Sequence, residues 1–115
     1  MADAESGPIE VGPQEAAQLQ RDGATIVDVR EDHEWDAGRI PGAVHIPLMQ
    51  LAAQVESLPA DGPIVFQCKS GGRSLMAAQA LRAAGRPACS LAGGLHAWQD
   101  AGLPLEPEDG FVADH

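Results

Sequence analysis

Aromatic residues and positive charges are both scarce in this sequence. Phe, Trp and Tyr together make up 3% of the 115 residues, so a hydrophobic core has to be built from Ala, Val, Leu and Ile. Lys and Arg number 7 against 17 Asp and Glu, which gives a formal net charge of −10. Nucleic acids and anionic membrane surfaces are both bound by a basic face. The sequence therefore predicts no nucleic-acid partner and no membrane partner.

Cysteine is equally rare, and long hydrophobic runs are missing. Two cysteines, Cys68 and Cys89, are too few for a disulfide framework. The N-terminal stretch MADAESGP lacks the apolar segment of a secretory signal, and no stretch is long enough to span a bilayer. We therefore expect a cytoplasmic protein in which Cys68 remains a free thiol. The four histidines lack metal-ligand spacing, so no metal site is expected.

Short apolar runs bounded by turn residues alternate along the chain with segments of helical periodicity. Residues 24–29 and 64–67 give the clearest signals for buried strands, and residues 74–84 give the strongest helical signal. The predicted strands cover residues 8–11, 24–29, 44–46, 64–67 and 88–91. One predicted helix runs from Pro13 to the stop signal at Asp22-Gly23, and the others cover residues 31–37, 48–58, 74–84 and 95–101.

This alternation predicts an α/β fold with a central, mainly parallel sheet and helices on both faces. The length suits one domain, and the chain has no internal repeat and no dividing linker. We expect a disordered N-terminal tail at residues 1–7, the domain at 8–104 and an acidic C-terminal tail at 105–115. Ligand sites in such sheets lie at the carboxyl ends of the strands, which is where Cys68 follows the run 64–67.

The segment after this strand has the composition of an anion-binding loop. Gly71 and Gly72 allow the backbone to curl, and the helix that follows begins with unpaired N–H groups. Lys69 and Arg73 add positive charge, and such surroundings lower the pKa of a thiol. The sequence therefore predicts that Cys68 is a thiolate in an anion-binding cup, able to attack an electrophilic sulfur or phosphorus atom.

Four segments of the chain resemble the rhodanese-like family in their order and spacing. They are Asp28-Val29-Arg30 with Glu34-Trp35, the run GRIPGAVHIP at 38–47, the loop CKSGGRS at 68–74, and GGLHAW at 93–98 with GLP at 102–104. Two departures are Arg39, where His is common in the family, and His45, where Asn is common. Neither residue is the nucleophile, so the sequence still resembles the active members of the family.

The resemblance implies a rhodanese-like domain with a five-stranded sheet and a sulfurtransferase activity that needs no cofactor. Cys68 is then the nucleophile, which takes the outer sulfur of thiosulfate or of another persulfide-like donor. The resulting persulfide passes its sulfur to cyanide or to an acceptor thiol. A protein donor or acceptor of sulfur is a further possible partner. The expected substrate-binding residues are Lys69, Ser70, Gly71, Gly72, Arg73 and Ser74.

The remaining candidate residues have simpler expected roles. Asp28 and Arg30 are expected to form a hydrogen-bonded pair that supports the loops. Arg73 is expected either to bind the anionic group of the donor or to bond to loop carbonyls, and Lys69 to attract anions at the pocket mouth. Cys89 lies in a strand pattern and is expected to be a core residue.

Two other functions stay open at this point. Cysteine-dependent phosphatases and arsenate reductases also use a Cys…Arg loop, but they place one more residue between the two than the four found here. The shorter loop favours a sulfur atom over a tetrahedral oxyanion. The other alternative is a persulfide carrier that a partner protein loads and that has little turnover of its own.

Overall fold

The computed structural model describes residues 7–59 and 62–113, and within them it contains one five-stranded, all-parallel sheet. The strands are β1 (Glu10–Val11), β2 (Thr25–Asp28), β3 (Val44–His45), β4 (Ile64–Gln67) and β5 (Ala88–Leu91). Their order across the sheet is β1-β5-β4-β2-β3, so β4 is the middle strand. The predicted α/β fold with a mainly parallel sheet is confirmed.

Five α-helices connect or follow these strands in the described part of the chain. They are α1 (Pro13–Arg21), α2 (Asp32–Ala37), α3 (Leu51–Gln54), α4 (Gly72–Ala83) and α5 (Gly94–Asp100). Helix α4 begins two residues earlier than the predicted start at Ser74, so Arg73 lies in its first turn. Gly71, with φ +111°, provides the left-handed turn that lets the loop enter the helix at this point.

The predicted helix over residues 48–58 is wrong as a single element. It is divided into a 3₁₀ turn at Leu48–Gln50, the short helix α3, and a second 3₁₀ turn at Val55–Ser57. Leu48 and Leu51 are three residues apart, as are Val55 and Leu58, and a 3₁₀ turn has three residues per turn. The two tight turns therefore keep these four side chains directed at the core, where Leu51 and Leu58 are buried.

The core forms two layers, one on each face of the sheet. Successive strand residues point to opposite faces. On one face Val27, Ile64 and Phe66 form a cluster with buried residues of α3 and α4. On the other face Ile26 and Val65 pack with buried residues of α1 and α5. The prediction of helices on both faces is confirmed.

Small side chains allow the helices to lie close to the sheet. The residues that α1 and α4 bury against the strands include Ala16, Ala17, Ala77 and Ala78, all at most 5% exposed. Such tight packing follows from the shortage of aromatic residues, because a core of short side chains fills space only at close approach.

The segment after residue 104 contacts the domain. Glu106 and Arg39 exchange two backbone hydrogen bonds, of 3.0 and 2.8 Å, and the Phe111 N–H donates to the Ala37 carbonyl at 3.0 Å. Gly38 leaves room for this segment, since a Cβ there would lie 2.5 Å from the Phe111 carbonyl oxygen. The predicted tails at 1–7 and 105–115 remain predictions, and residues 1–6, 114 and 115 lie outside the described residues.

Candidate active site

The site is built around a buried sulfur atom at the end of the middle strand. Cys68 follows β4 directly and is 1% exposed. Its Sγ accepts hydrogen bonds from the N–H groups of Gly71 at 3.1 Å and Ser74 at 3.4 Å, and the Ser74 hydroxyl oxygen lies 3.5 Å away. The loop therefore curls around the sulfur, and its backbone donors converge on one atom.

These donors decide the charge state of the thiol. Burial by itself raises the pKa of Cys68, because it disfavours the thiolate. Hydrogen bonds from the Ser74 hydroxyl and from the N–H groups of Ser74, Gly71 and Ser70 act in the opposite direction and outweigh burial. The net pKa of Cys68 lies below the ordinary value for cysteine. The loop thus favours the nucleophilic form of the sulfur.

Helix α5 holds the other side of the same loop. The Leu95 N–H donates to the Cys68 carbonyl at 2.8 Å, and the His96 N–H donates to the Lys69 carbonyl at 3.2 Å. Gly94, with φ +61°, makes this approach possible, since a Cβ there would lie 2.4 Å from the Cys68 carbonyl oxygen. With its carbonyls bound on this side, the loop directs its N–H groups toward the sulfur.

Arg73 forms an ion pair that the sequence did not predict. Its guanidinium donates to both carboxylate oxygens of Glu34, at 2.9 and 3.0 Å. The Glu34 side chain is fully buried and that of Arg73 is 23% exposed. Burial raises the pKa of Glu34, but its hydrogen bonds with Arg73 and with the Glu31 backbone and the nearby guanidinium charge hold the pKa below its ordinary value. The ion pair ties α2 to the first turn of α4.

A second buried ion pair lies at the ends of β2 and β4. Asp28 accepts from the Arg30 side chain at 2.7 and 2.9 Å and from the Gln67 amide at 2.6 Å. Arg30 also donates to the Gly38 carbonyl at 2.7 Å. All three polar side chains belong to fully buried residues. The network fixes the strand end that leads into Cys68.

The other predicted loop residues differ in exposure. Ser70 and Gly72 are exposed, Gly71 is buried, and Lys69 is partly buried. Within the described residues, no group of three or more His, Cys, Asp or Glu side chains could hold a metal ion. No helix among them is long and apolar enough to cross a membrane.

Cys89 lies on the other face of the sheet from Cys68. It packs in the core layer under α1 and α5, whereas Cys68 belongs to the layer under α4. Burial raises the pKa of Cys89 to about 11. Its thiol is therefore protonated at neutral pH, as suits a core residue.

Arg39 and His45, which depart from the family pattern, both contact the Trp35 ring. The His45 ring stacks on Trp35 with centroids 4.8 Å apart, and the Arg39 guanidinium lies 5.1 Å from the Trp35 ring centroid. His45 Nε2 also makes a 2.8 Å hydrogen bond with the Arg30 carbonyl. These contacts belong to the packing around α2 rather than to the sulfur.

Known proteins share the sequence pattern and the fold of this chain. Residues 12–101 match the family described as rhodanese-like domain. The chain belongs to this family. Its fold is similar to that of a rhodanese-related protein from Thermoplasma volcanium. That crystal structure superposes with a TM-score of 0.79 at 26% identity, covering 85% of this chain and 97% of the other.

Two sequence relatives of similar size carry sulfurtransferase names. Thiosulfate sulfurtransferase GlpE from Pseudomonas fluorescens is 32% identical over 87% of this chain and 92% of its own length. A sulfurtransferase from Allochromatium vinosum is 34% identical over 74% of this chain and 80% of its own.

Rhodanese-like domains also occur inside longer relatives. The HTH-type transcriptional regulator Rv0324 from Mycobacterium tuberculosis is 42% identical over 71% of this chain, but the match spans only 37% of the regulator. The resemblance there is to one part of a larger protein.

Two residues next to the site had no role predicted from the sequence. Ser90 is fully buried in β5, and its hydroxyl lies 2.7 Å from that of Ser74. A lone polar residue in the run Ala88–Leu91 was the signal that could have singled it out. Glu34 belongs to one of the segments that carry the family resemblance and has helix-capping spacing with Glu31, but neither signal indicates its partner Arg73, which lies 39 residues later.

Replacing Gly94 by Ala is expected to destabilise the domain and to disturb the Cys68 loop. The new Cβ would meet backbone atoms of Cys68 and Lys69 at 2.4 to 2.6 Å, in addition to the strain of a positive φ. We expect a loss of about 3 kcal/mol in the free energy of unfolding, measured with urea.

Gly102→Ala is the matched control for this variant. Gly102 also has a positive φ, +80°, but a Cβ there meets nothing within 4 Å. Its loss should be about 1 kcal/mol, from backbone strain alone. Equal losses in the two variants would contradict the close approach of α5 to the loop.

The Glu34–Arg73 ion pair predicts a pH-dependent stability. Because the folded pKa of Glu34 lies below its ordinary value of 4.5, ionised Glu34 stabilises the fold fully above that pH. This contribution is lost as the pH falls through the folded pKa. Near neutral pH, Glu34→Gln should therefore lower the free energy of unfolding by about 2 kcal/mol.

The measurement is urea unfolding of wild type and Glu34→Gln between neutral and acidic pH. The difference between the two proteins should shrink as the pH drops below 4.5. Glu31→Gln removes an exposed carboxylate from the same helix cap and serves as the control. A Glu34→Gln difference that stays constant with pH would show that ionised Glu34 does not stabilise the fold.

Proposed function

We propose that the protein is a sulfurtransferase in which the Cys68 thiolate accepts a sulfur atom and holds it as a persulfide. The observation that carries this proposal is the convergence of the Gly71 and Ser74 N–H groups on Sγ, at 3.1 and 3.4 Å. Donors aimed at a buried sulfur stabilise negative charge on it without reorganising during the reaction. Membership of the rhodanese-like family supports sulfur transfer as the reaction class.

The reaction needs two displacements at sulfur and no cofactor. The Cys68 thiolate attacks the outer sulfur of the donor, a new S–S bond forms, and the donor's own S–S bond breaks. With thiosulfate as donor, sulfite leaves with the bonding electron pair. A thiolate or cyanide then attacks the outer sulfur of the persulfide, and Cys68 leaves as the thiolate with which it began.

Access to the sulfur favours a slender donor. Cys68 is 1% exposed, so a donor whose reacting atom is terminal and narrow can approach the sulfur most readily. Thiosulfate and persulfides both have such an atom. The name of GlpE supports thiosulfate as a donor to test first.

Donor binding is assigned to the loop backbone rather than to Arg73. The Nη1 and Nη2 groups of Arg73 both donate to Glu34, and the buried Glu34 carboxylate offsets the guanidinium charge. We therefore assign Arg73 to holding the loop. The anionic end of the donor is assigned to the backbone of the loop.

The same ion pair argues against a phosphatase. A phosphate oxyanion in a Cys…Arg loop is bound by the guanidinium, and here the Nη1 and Nη2 groups of Arg73 donate to Glu34 instead. A persulfide carrier loaded by a protein remains the second candidate function, since the same cup would stabilise a persulfide from any source. A reducing cytoplasm suits either function, because Cys68 and Cys89 are both free thiols.

The reaction is tested by intact mass after incubation with thiosulfate, followed by thiocyanate release on addition of cyanide. Wild type should gain the mass of one sulfur atom and release thiocyanate. Cys68→Ser should show neither, because an alkoxide forms poorly at neutral pH and cannot carry a persulfide. Cys89→Ser should keep both, since the Cys89 thiol is buried in the opposite core layer.

Other outcomes would replace the proposal. Turnover of an aryl phosphate that depends on Cys68, without thiocyanate release, would establish the phosphatase. Loading of Cys68 by a cysteine desulfurase but not by thiosulfate would establish the carrier. Loss of activity in a folded Cys89→Ser variant would point to a two-cysteine relay.

A further inference from the structure

A chain of three polar side chains runs from the nucleophile into the core. The Ser74 hydroxyl lies 3.5 Å from Cys68 Sγ and 2.7 Å from the Ser90 hydroxyl. Ser74 and Ser90 are both fully buried. Ser90 lies on β5, the strand next to β4, and makes no contact with the sulfur among the hydrogen bonds of the described residues.

The direction of the protons in this chain is restricted. Each serine has one hydroxyl proton, and Ser74 Oγ has three neighbours: Cys68 Sγ, the Gly71 carbonyl at 3.2 Å and Ser90 Oγ. If Ser74 gives its proton to Ser90, the sulfur receives none from this hydroxyl. If Ser90 gives its proton to Ser74, the Ser74 proton is available for the sulfur.

Two observations favour the second arrangement. Among the described residues, the Ser90 hydroxyl is hydrogen-bonded to Ser74 Oγ and to no other group. If Ser90 did not donate its proton to this oxygen, the buried proton would have no acceptor. The Gly71 carbonyl already accepts the Leu75 N–H at 3.0 Å, so it does not depend on the Ser74 proton. A thiolate attracts that proton more strongly than a carbonyl that is already bonded.

We propose that Ser90 is a positioning residue for the nucleophile: its hydroxyl donates to Ser74 Oγ and thereby directs the Ser74 proton to Cys68 Sγ. Ser90 touches neither the sulfur donor nor the reacting atom, and it acts through Ser74. The inference deepens the proposed sulfur transfer and rests on it for its biological meaning. The underlying hydrogen-bond direction can be measured without any sulfur donor.

Charged groups around Cys68 are not part of this chain. Lys69 and Arg73 belong to its own loop, and Glu34 from α2 is paired with Arg73. The buried Asp28–Arg30 pair comes from β2 and its loop. His96, in α5, contacts the loop through its backbone N–H. None of these side chains bonds to the Ser74 or Ser90 hydroxyl within the described residues, so substitutions at Ser90 leave every charge in place.

The experiment compares the pH dependence of Cys68 alkylation by iodoacetamide in three Ser90 variants, read from the mass of the peptide that contains Cys68. Ser90→Val and Ser90→Thr have nearly equal volumes, and only threonine keeps the hydroxyl. Ser90→Ala removes the hydroxyl without adding bulk. Urea unfolding checks that each variant is folded.

We expect the alkylation midpoint to rise by about half a pH unit to one unit in Ser90→Val and Ser90→Ala, and to stay near wild type in Ser90→Thr. Ser74→Ala should raise the midpoint at least as much. Adding Ser90→Ala to Ser74→Ala should cause no further rise, because the link to the sulfur is already cut.

Cys89→Ala is the control for a general disturbance of β5, since it alters the same strand on the opposite face of the sheet. Its midpoint should match wild type. An unchanged midpoint in Ser90→Ala would overturn the proposal. So would a Ser90→Ala change that raises the midpoint as much in the Ser74→Ala background as in wild type. If neither Ser90→Val nor Ser90→Thr folds, the midpoints of Ser74→Ala, Ser90→Ala and the double variant decide the question.

Failure of the proposed function would give a different result from failure of the Ser90 proposal. A wild type that no sulfur donor loads would refute sulfur transfer, whereas the alkylation shifts would still be present. If sulfur loading does occur, its rate at slightly acidic pH should fall in Ser90→Ala and recover in Ser90→Thr, in step with the alkylation midpoints.

Discussion

The site depends on one constraint, which is that a sulfur atom buried at a strand end has to be stable as an anion. Burial opposes this charge, and the groups that reverse its effect are the Ser74 hydroxyl and the backbone N–H donors of Ser74, Gly71 and Ser70. Hydrogen bonds to an ionised acceptor are about twice as strong as neutral ones. These hydrogen bonds stabilise the thiolate only if the loop is held in its curled conformation. The contacts around the loop therefore matter because they hold it in that conformation.

Three independent contacts supply this support from three directions. Below the loop, the buried Asp28–Arg30–Gln67 network fixes the ends of β2 and β4. On one side, α5 binds the loop carbonyls through backbone N–H groups that Gly94 allows to approach. On the other, Glu34 holds Arg73 in the first turn of α4. Each contact involves buried polar groups that are costly to leave unpaired, so the loop conformation is coupled to the stability of the whole domain.

Much of this arrangement could be predicted from local sequence. Alternating strand and helix patterns indicate a parallel sheet, and a parallel sheet puts the residue after the middle strand, Cys68, at its functional edge. The glycines of the loop indicate the curl. The partners of Arg73 and Ser74 could not be predicted in this way, because Glu34 is 39 residues from Arg73 and Ser90 is 16 residues from Ser74. Tertiary pairing of this kind leaves no periodic signal. The division of residues 48–58 was also missed, since helical and 3₁₀ spacings of leucine overlap.

A comparison of the two cysteines distinguishes the effect of the loop on a thiol pKa from the effect of burial. Cys68 and Cys89 are both at most 5% exposed, and they lie on adjacent strands or strand ends of one sheet. Burial raises the pKa of Cys89 to about 11, whereas the pKa of Cys68 is lowered although burial acts on it in the same direction. Cys89 lies within a strand whose N–H groups serve the sheet. Cys68 lies where the strand has ended, so the next N–H groups have no ladder partner and can turn toward the sulfur. The lowered pKa of Cys68 therefore depends on its position just beyond the end of β4.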